Sequence, residues 1–215
     1  MVTMIRFNPH EDAHLLDALI QCYRDVFGDP PWNEWKKCPK CELKWSKKEA
    51  QELESTRHCG AEIVDFWPYE QVREDIFHEI TPESSCWLAM DDEKVVGFCW
   101  GYPIKVSDLE EKLGISFSAQ MHEMFGKHDI VAYQDDIGIL TEYRGLKLAK
   151  ELIKLRFEDF KNQGLAIGVF RTMTSPPSVT YLWYSQKLDY KVVAKYKDTD
   201  GRVIMARTLH DLVVS

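Results

Sequence analysis

The segment from Asp135 to Gly164, DDIGILTEYRGLKLAKELIKLRFEDFKNQG, constrains the fold more tightly than any other stretch. A short apolar strand, Ile137 to Leu140, runs straight into an Arg144-Gly145 turn, and an amphipathic helix follows with no linker between. A helix begun at a glycine turn gathers several open backbone N–H groups in one place. Together with the helix dipole they form a site for phosphate oxygens. The strand ends at the same spot, so a ligand can lie along the strand end with its phosphates on the turn.

Periodicity orders the rest of the chain. Met4 to Phe7 reads as an edge strand, and a helix reads from His10 or Glu11 to Phe27, its apolar residues recurring at helical spacing from Leu15 until Gly28-Asp-Pro-Pro stops it. Tyr69 to Ile80 reads as a helix. Cys86 to Met90 and Val95 to Pro103 form a hairpin about Asp91-Asp92-Glu93. Ser107 to Lys127 holds short helical pieces, SDLEEKLG carrying an N-cap serine and a stop glycine. Asp129 to Leu140 reads as one long strand, Leu146 to Gln163 as the helix after the turn, and Ala166 to Met173 as the next strand. Ser175-Pro-Pro opens a helix to about Leu188. Tyr190 to Tyr196 and Val203 to Thr208 close the chain as a hairpin around Asp198 to Gly201. This is an α/β (α+β) pattern without internal repeat or low-complexity linker. It reads as a single domain over residues 1–215 with a Cys-rich insert at 32–62.

The stretch Asp136-Ile-Gly-Ile-Leu-Thr-Glu-Tyr-Arg144-Gly145-Leu-Lys-Leu-Ala149 resembles the acetyl-CoA signature of the GNAT superfamily of N-acetyltransferases. That signature is Gln or Arg, two residues, Gly, one residue, then Gly or Ala. Glu142, Tyr143, Arg144, Gly145 and Ala149 match its wider context, whereas Lys147 replaces the middle glycine and Thr141 the usual proline. A side chain at 147 is tolerable in helical backbone and harmful if a positive φ is required there. The resemblance implies the GNAT fold, a mixed central sheet of about six to seven strands with helices on both faces and splayed fourth and fifth strands. It also implies acetyl-CoA as cosubstrate. Ile137 and Ile139 would offer backbone groups to pantetheine. The N–H groups of Leu146, Lys147, Leu148, Ala149 and Lys150, with Arg144 and Gly145, would hold the pyrophosphate.

For acetyl transfer to an amine, the amine must lose a proton, the thioester carbonyl must be polarised, and the leaving thiolate must gain a proton. Asp136 stands where many family members carry the acidic residue that deprotonates the amine, and in a regular strand Asp135 points to the other face. Both also read as solvent-facing charge. The family's acid, a tyrosine in the helix after the fifth strand, is matched one residue early by Tyr184; Tyr181 or plain core packing are alternatives. Ser175 reads either as a pantetheine partner or as a helix cap.

The second constellation is Cys38-Pro-Lys-Cys41 with His58-Cys59. C-x-x-C lets two sulfurs approach one tetrahedral ion, and His58 and Cys59 would complete a structural zinc set. Adjacent ligands are awkward, which leaves Glu62 or water as a substitute and two exposed thiols as the plain alternative. Zinc would fold an insert too polar to bury a core. Trp32, Trp35, Trp45 and Trp67, with Glu34, read as an aromatic acceptor pocket or as the insert's own small core.

The net charge of −8, from 35 acidic and 27 basic residues, disfavours nucleic acid and fits an amine acceptor. No apolar run reaches the ~20 residues a bilayer crossing needs, and no signal pattern opens the chain. Six cysteines then read as cytoplasmic thiols or metal ligands. The function expected is acetyl transfer from acetyl-CoA to a primary amine by direct attack in a ternary complex. The alternatives are a non-catalytic CoA-binding or protein-interaction module that uses a zinc-stabilised insert, and a zinc enzyme with an open fourth position. The acceptor is a small molecule or peptide. Homodimerisation is left open.

Overall fold

The computed structural model describes residues 1–197 and 201–212. The chain divides into two compact units, each assembled from separate segments: residues 1–82, 86–99 and 137–152 in one, and 83–85, 100–136 and 153–215 in the other.

In the first unit β1 (Thr3–Arg6) is an edge strand. A short 3-10 turn leads into α1 (Leu16–Gly28), whose stripe of Leu19, Ile20, Tyr23, Val26 and Phe27 is buried. The segment after α1 is built from fragments: β2 (Lys36–Lys37), β3 (Lys44–Trp45), α2 (Lys47–Gln51), β4 (Arg57–His58), β5 (Ala61–Glu62) and β6 (Val64–Asp65). Strands β3-β2-β6 make one small sheet and β4-β5 a hairpin. Helix α2 starts with a capping box, Ser46 and Glu49 each bonding the other's backbone N–H. Helix α3 (Tyr69–Glu79) buries Val72 and Ile76. Strand β7 (Ser85–Asp91) pairs with β1, and β8 (Lys94–Lys105) follows after a tight turn.

The second unit takes the end of β8, then α4 (Val106–Leu113) and α5 (Ser118–Phe125). Gly114 closes α4 in the left-handed region at φ 63, as the stop glycine requires. The expected Ser107 cap is displaced: the N-cap is Lys105 and Ser107 lies inside the helix. The strand expected over 129–140 is two, β9 (Ile130–Tyr133) and β10 (Ile137–Ile139), interrupted at 134–136. Helix α6 (Leu148–Asn162), β11 (Ile167–Met173), α7 (Val179–Lys187), β12 (Lys191–Lys195) and β13 (Arg202–Thr208) complete the chain. The hairpin turn expected at Asp198 to Gly201 lies mostly outside the described residues.

Hydrogen bonding orders the sheet β1-β7-β8-β9-β11-β13-β12, with β10 also on β8. It is mixed, because β9 and β11 run parallel while β8–β9 and β11–β13 are antiparallel. The core of the second unit gathers Leu109, Phe117, Met121, Val131, Tyr133 and Val169. Burial of each such side chain contributes roughly 1.5–3 kcal/mol.

Candidate active site

The antiparallel ladder of β10 on β8 fixes which way its backbone faces. Trp100 N donates to the carbonyl of Asp136 at 3.0 Å, and Leu140 N donates to that of Val96 at 3.0 Å. Alternation therefore turns residues 136, 138 and 140 toward β8 and the amide and carbonyl groups of Ile137 and Ile139 to the other edge. The carbonyl of Ile139 bears this out by accepting from Arg144 Nε at 3.3 Å. Gly138 is required for close approach: a Cβ there would lie 2.6 Å from Phe98 Cζ and 2.7 Å from Val26 Cγ1.

Between β10 and α6 the chain makes a 3-10 turn at Thr141–Tyr143 before the glycine turn, a link that the sequence pattern did not show. It is pinned on several sides. Thr141 Oγ1 donates to Asp29, Lys94 pairs with Glu142 at 3.0 Å, Tyr143 Oη donates to Asp91 at 2.9 Å, and Arg144 Nη1 reaches the carbonyl of Pro30. Glu142 is held below the usual carboxylate range, first by a hydrogen bond from its own backbone and then by Lys94. Gly145 has φ 83 and Lys147 has φ 64. The position where the signature has its middle glycine thus does adopt the left-handed backbone, and a lysine occupies it at a steric cost. Helix α6 starts at Leu148, and in its first turn the amides of Lys150 and Glu151 both donate to the Lys147 carbonyl, at 3.1 and 3.3 Å. Gly145, Leu146 and Lys147 are exposed, Ala149 and Lys150 half-buried, and Leu148 turns into the core.

The interruption at 134–136 is held by a group absent from the sequence reading. Arg156 lies on the buried stripe of α6 and is 1% exposed. Its Nη1 donates to the carbonyls of Trp100 at 2.8 Å and Asp136 at 3.1 Å; its Nη2 donates to Gln134 Oε1 at 3.2 Å and Tyr184 Oη at 3.0 Å. Tyr184 Oη donates on to Gln134 Oε1 at 2.9 Å, and Gln134 Nε2 donates to Tyr190 Oη at 2.8 Å. Burial pushes the Tyr190 phenol well above its ordinary range. The one available signal was an arginine at a buried-stripe position, among Leu152, Ile153, Phe157 and Phe160.

Of the acidic pair, Asp135 is bound to Lys112 at 2.9 Å and to Tyr102 at 2.8 Å, while Asp136 is half-buried with its carbonyl engaged as above. Tyr184 is 1% exposed and sits within the arginine network, the packing alternative for that residue. Ser175 does not cap α7; Ser178 does, accepting from Tyr181 N at 2.9 Å.

The other expected cluster is brought together. Ligand atoms of Cys38, Cys41, His58 and Cys59 all lie within 4.8 Å of one another, and Glu62 is not among them. Burial opposes ionisation of Cys38, but hydrogen bonding with His58, Lys40 and Cys41 outweighs it and holds the thiol down to about 6. Cys59 is raised, chiefly by its contact with Cys41. Near it, Glu34 accepts from Trp67 Nε1 at 3.1 Å and pairs with Lys44 at 2.7 Å, so its carboxylate is already engaged.

Residues 15–179 match the model of the acetyltransferase (GNAT) family, about three quarters of the chain. The chain belongs to that family. No curated protein matches it. Among solved structures it is similar to the PaiA N-acetyltransferase of Thermoplasma acidophilum in complex with coenzyme A, at 15% identity and TM-score 0.56, covering 97% of this chain and 99% of that one. It is similar to Arabidopsis thaliana NAA60 in complex with acetyl-CoA, at 13% identity and TM-score 0.53, covering 97% and 98%. A third likeness is to a mosquito arylalkylamine N-acetyltransferase-like protein, at 10% identity and TM-score 0.59, covering 97% and 100%. At these identities the likeness establishes the GNAT fold. Among the described residues, no helix is long and apolar enough to cross a membrane.

Proposed function

We propose that the protein is an N-acetyltransferase that moves the acetyl group of acetyl-CoA to a primary amine by direct attack, its whole length serving as one acyltransferase domain. The observation that carries this reading is the outward backbone edge of β10 running into the positive-φ bend and the start of α6. We assign the outward amide and carbonyl of Ile137 and the amide of Ile139 to the two amides of a pantetheine arm, the Ile139 carbonyl being engaged by Arg144 Nε. The amides of Leu146, Lys147, Leu148 and Ala149 are assigned to the pyrophosphate, whereas that of Lys150 donates to the Lys147 carbonyl at 3.1 Å. Solved relatives that contain coenzyme A or acetyl-CoA support the same assignment.

Acetyl-CoA supplies an activated acyl carbon whose leaving group is a thiolate. The ammonium must lose one proton before attack, and the proton its nitrogen sheds on acylation must reach the thiolate. Asp136, at the end of the interruption, is assigned the uptake of the ammonium proton, directly or through water, which leaves a neutral amine to attack. The new C–N bond forms as the C–S bond breaks. Tyr184 Oη is committed to Gln134 and Arg156, so we assign it the support of the strand break, and the second proton, shed by the nitrogen as it is acylated, passes through water to the thiolate. Ser175, in the bend before α7, is kept as a candidate hydrogen-bond partner of the cosubstrate.

An amine acceptor agrees with the chain's acidic balance and with the arylalkylamine relative. The same balance argues against a nucleic-acid partner. Six free cysteines support a reducing compartment, the cytoplasm. Thiol release from acetyl-CoA, followed over a panel of aliphatic and aromatic amines and peptides, tests the assignment with Asp136→Asn beside the wild type. Loss of about 10²–10⁴-fold in kcat with unchanged acetyl-CoA affinity is expected. Turnover undiminished in Asp136→Asn would remove this residue from the chemistry.

A further inference from the structure

We propose that Cys38, Cys41, His58 and Cys59 form a structural tetrahedral zinc site that folds residues 32–62. The distances among Cys41, His58 and Cys59 are close to the edge lengths of a coordination tetrahedron. With Zn–S of about 2.3 Å and Zn–N of about 2.0–2.1 Å, a tetrahedral ion sets S···S near about 3.8 Å and S···N near about 3.6 Å. Cys41 Sγ and Cys59 Sγ are 3.7 Å apart, and Cys41 Sγ lies 3.5 Å from His58 Nδ1. Cys59 Sγ lies 3.2 Å from the same nitrogen. Cys38 supplies the fourth, buried ligand atom, within 4.8 Å of the others.

Local backbone explains how adjacent residues serve one ion. Cys59 has φ 52 and Gly60 φ 79 in the turn between β4 and β5, which swings the Cys59 thiol back beside the imidazole. Arg57 Nη2 locks that turn by donating to the Gly60 carbonyl at 2.7 Å. The other knuckle closes in the same way. Glu42 has φ 57, its N–H donates to the Cys38 carbonyl at 2.9 Å, and Cys38 N donates to that of Leu43 at 3.0 Å. Two knuckles from separate hairpins therefore present four ligand atoms to one point.

The insert needs such a clamp. Between residues 32 and 62 only Cys38 and Ser46 are buried, so no apolar core holds these short strands together. Three thiolates and an imidazole suit zinc among available divalent ions. A full set of four protein ligands leaves no open position for catalysis, which makes the site structural. The metal takes all three cysteines as thiolates, and its binding free energy becomes folding free energy of the insert.

The test is metal analysis of untagged protein purified under reducing conditions, with X-ray absorption at the zinc edge. About one zinc per chain is expected, in a first shell of three sulfurs at about 2.3 Å and one nitrogen at about 2.0–2.1 Å. Cys41→Ser and Cys59→Ser should each weaken zinc binding by more than about tenfold. Because those variants can also loosen the insert, wild-type protein stripped by a chelator is titrated with zinc alone and should regain one equivalent. Failure of the wild type to take up zinc would overturn the proposal. So would a first shell lacking sulfur, or a Cys41–Cys59 disulfide found by mass spectrometry after alkylation in freshly lysed cells.

Discussion

Lys147 carries a side chain in the left-handed backbone region at φ 64, in an exposed bend where its cost is conformational and not one of packing. Glycine adopts that region freely. Lys147→Gly should therefore raise stability by about 0.5–1 kcal/mol, read as a higher denaturation midpoint, while acetyl-CoA binding is retained. An unchanged or lowered midpoint would mean that the lysine makes compensating contacts. The sequence shows the missing glycine but not the φ, because a motif match gives residue identities and leaves the backbone of a departing position open. The neighbouring ligand pair His58-Cys59 is a similar case. The two look too close to share an ion until the positive φ at Cys59 turns one toward the other.

Elements depend here on single side chains that reach between them. Arg156 ties α6 to the carbonyls that frame the break between β9 and β10. Arg156→Leu would remove the hydrogen bonds that the guanidinium donates to the carbonyls of Trp100 and Asp136, to Gln134 Oε1 and to Tyr184 Oη, and should cost about 2–4 kcal/mol by chemical denaturation. Arg156→Lys should recover part of that stability. Equal stability of the leucine variant would show that the network is dispensable. Glu110 acts at the start of α5, its Oε1 accepting from Phe117 N at 2.6 Å and Ser118 N at 2.7 Å. Burial raises its pKa, yet those bonds outweigh it and hold the carboxyl below its ordinary 4.5. A depressed folded-state value makes the contribution complete above pH 4.5 and lost as pH falls through the lower folded value. The stability gap between wild type and Glu110→Gln, about 1 kcal/mol at pH 7, should accordingly close on acidification below about pH 4. A gap independent of pH would contradict it. The main helices and strands were legible from periodicity, since their apolar stripes are long. The two-residue strands of the insert and the split of 129–140 were not, because tight turns around the cysteines and a buried arginine set them and leave no periodic trace.

At the scale of the whole molecule, one fold carries a site read from its backbone and an insert read from its thiols. The order of elements and the glycine turn before α6 stood out in the sequence, and the family match over residues 15–179 agrees with the family that they suggested. The acceptor side did not. Glu34, a candidate amine partner, is spent on Lys44 and Trp67, and Trp67 itself packs edge-on against Tyr23 and Phe66. The account stands on acetyl-CoA binding at β10 and the bend before α6. Isothermal titration of the wild type with acetyl-CoA, beside Ala149→Glu, tests that directly. A carboxylate in the first turn of a helix stabilises the helix while repelling pyrophosphate, so the variant should stay folded. Micromolar binding by the wild type that Ala149→Glu loses is the predicted result. No binding by the wild type, or equal binding by a folded Ala149→Glu, would contradict the account.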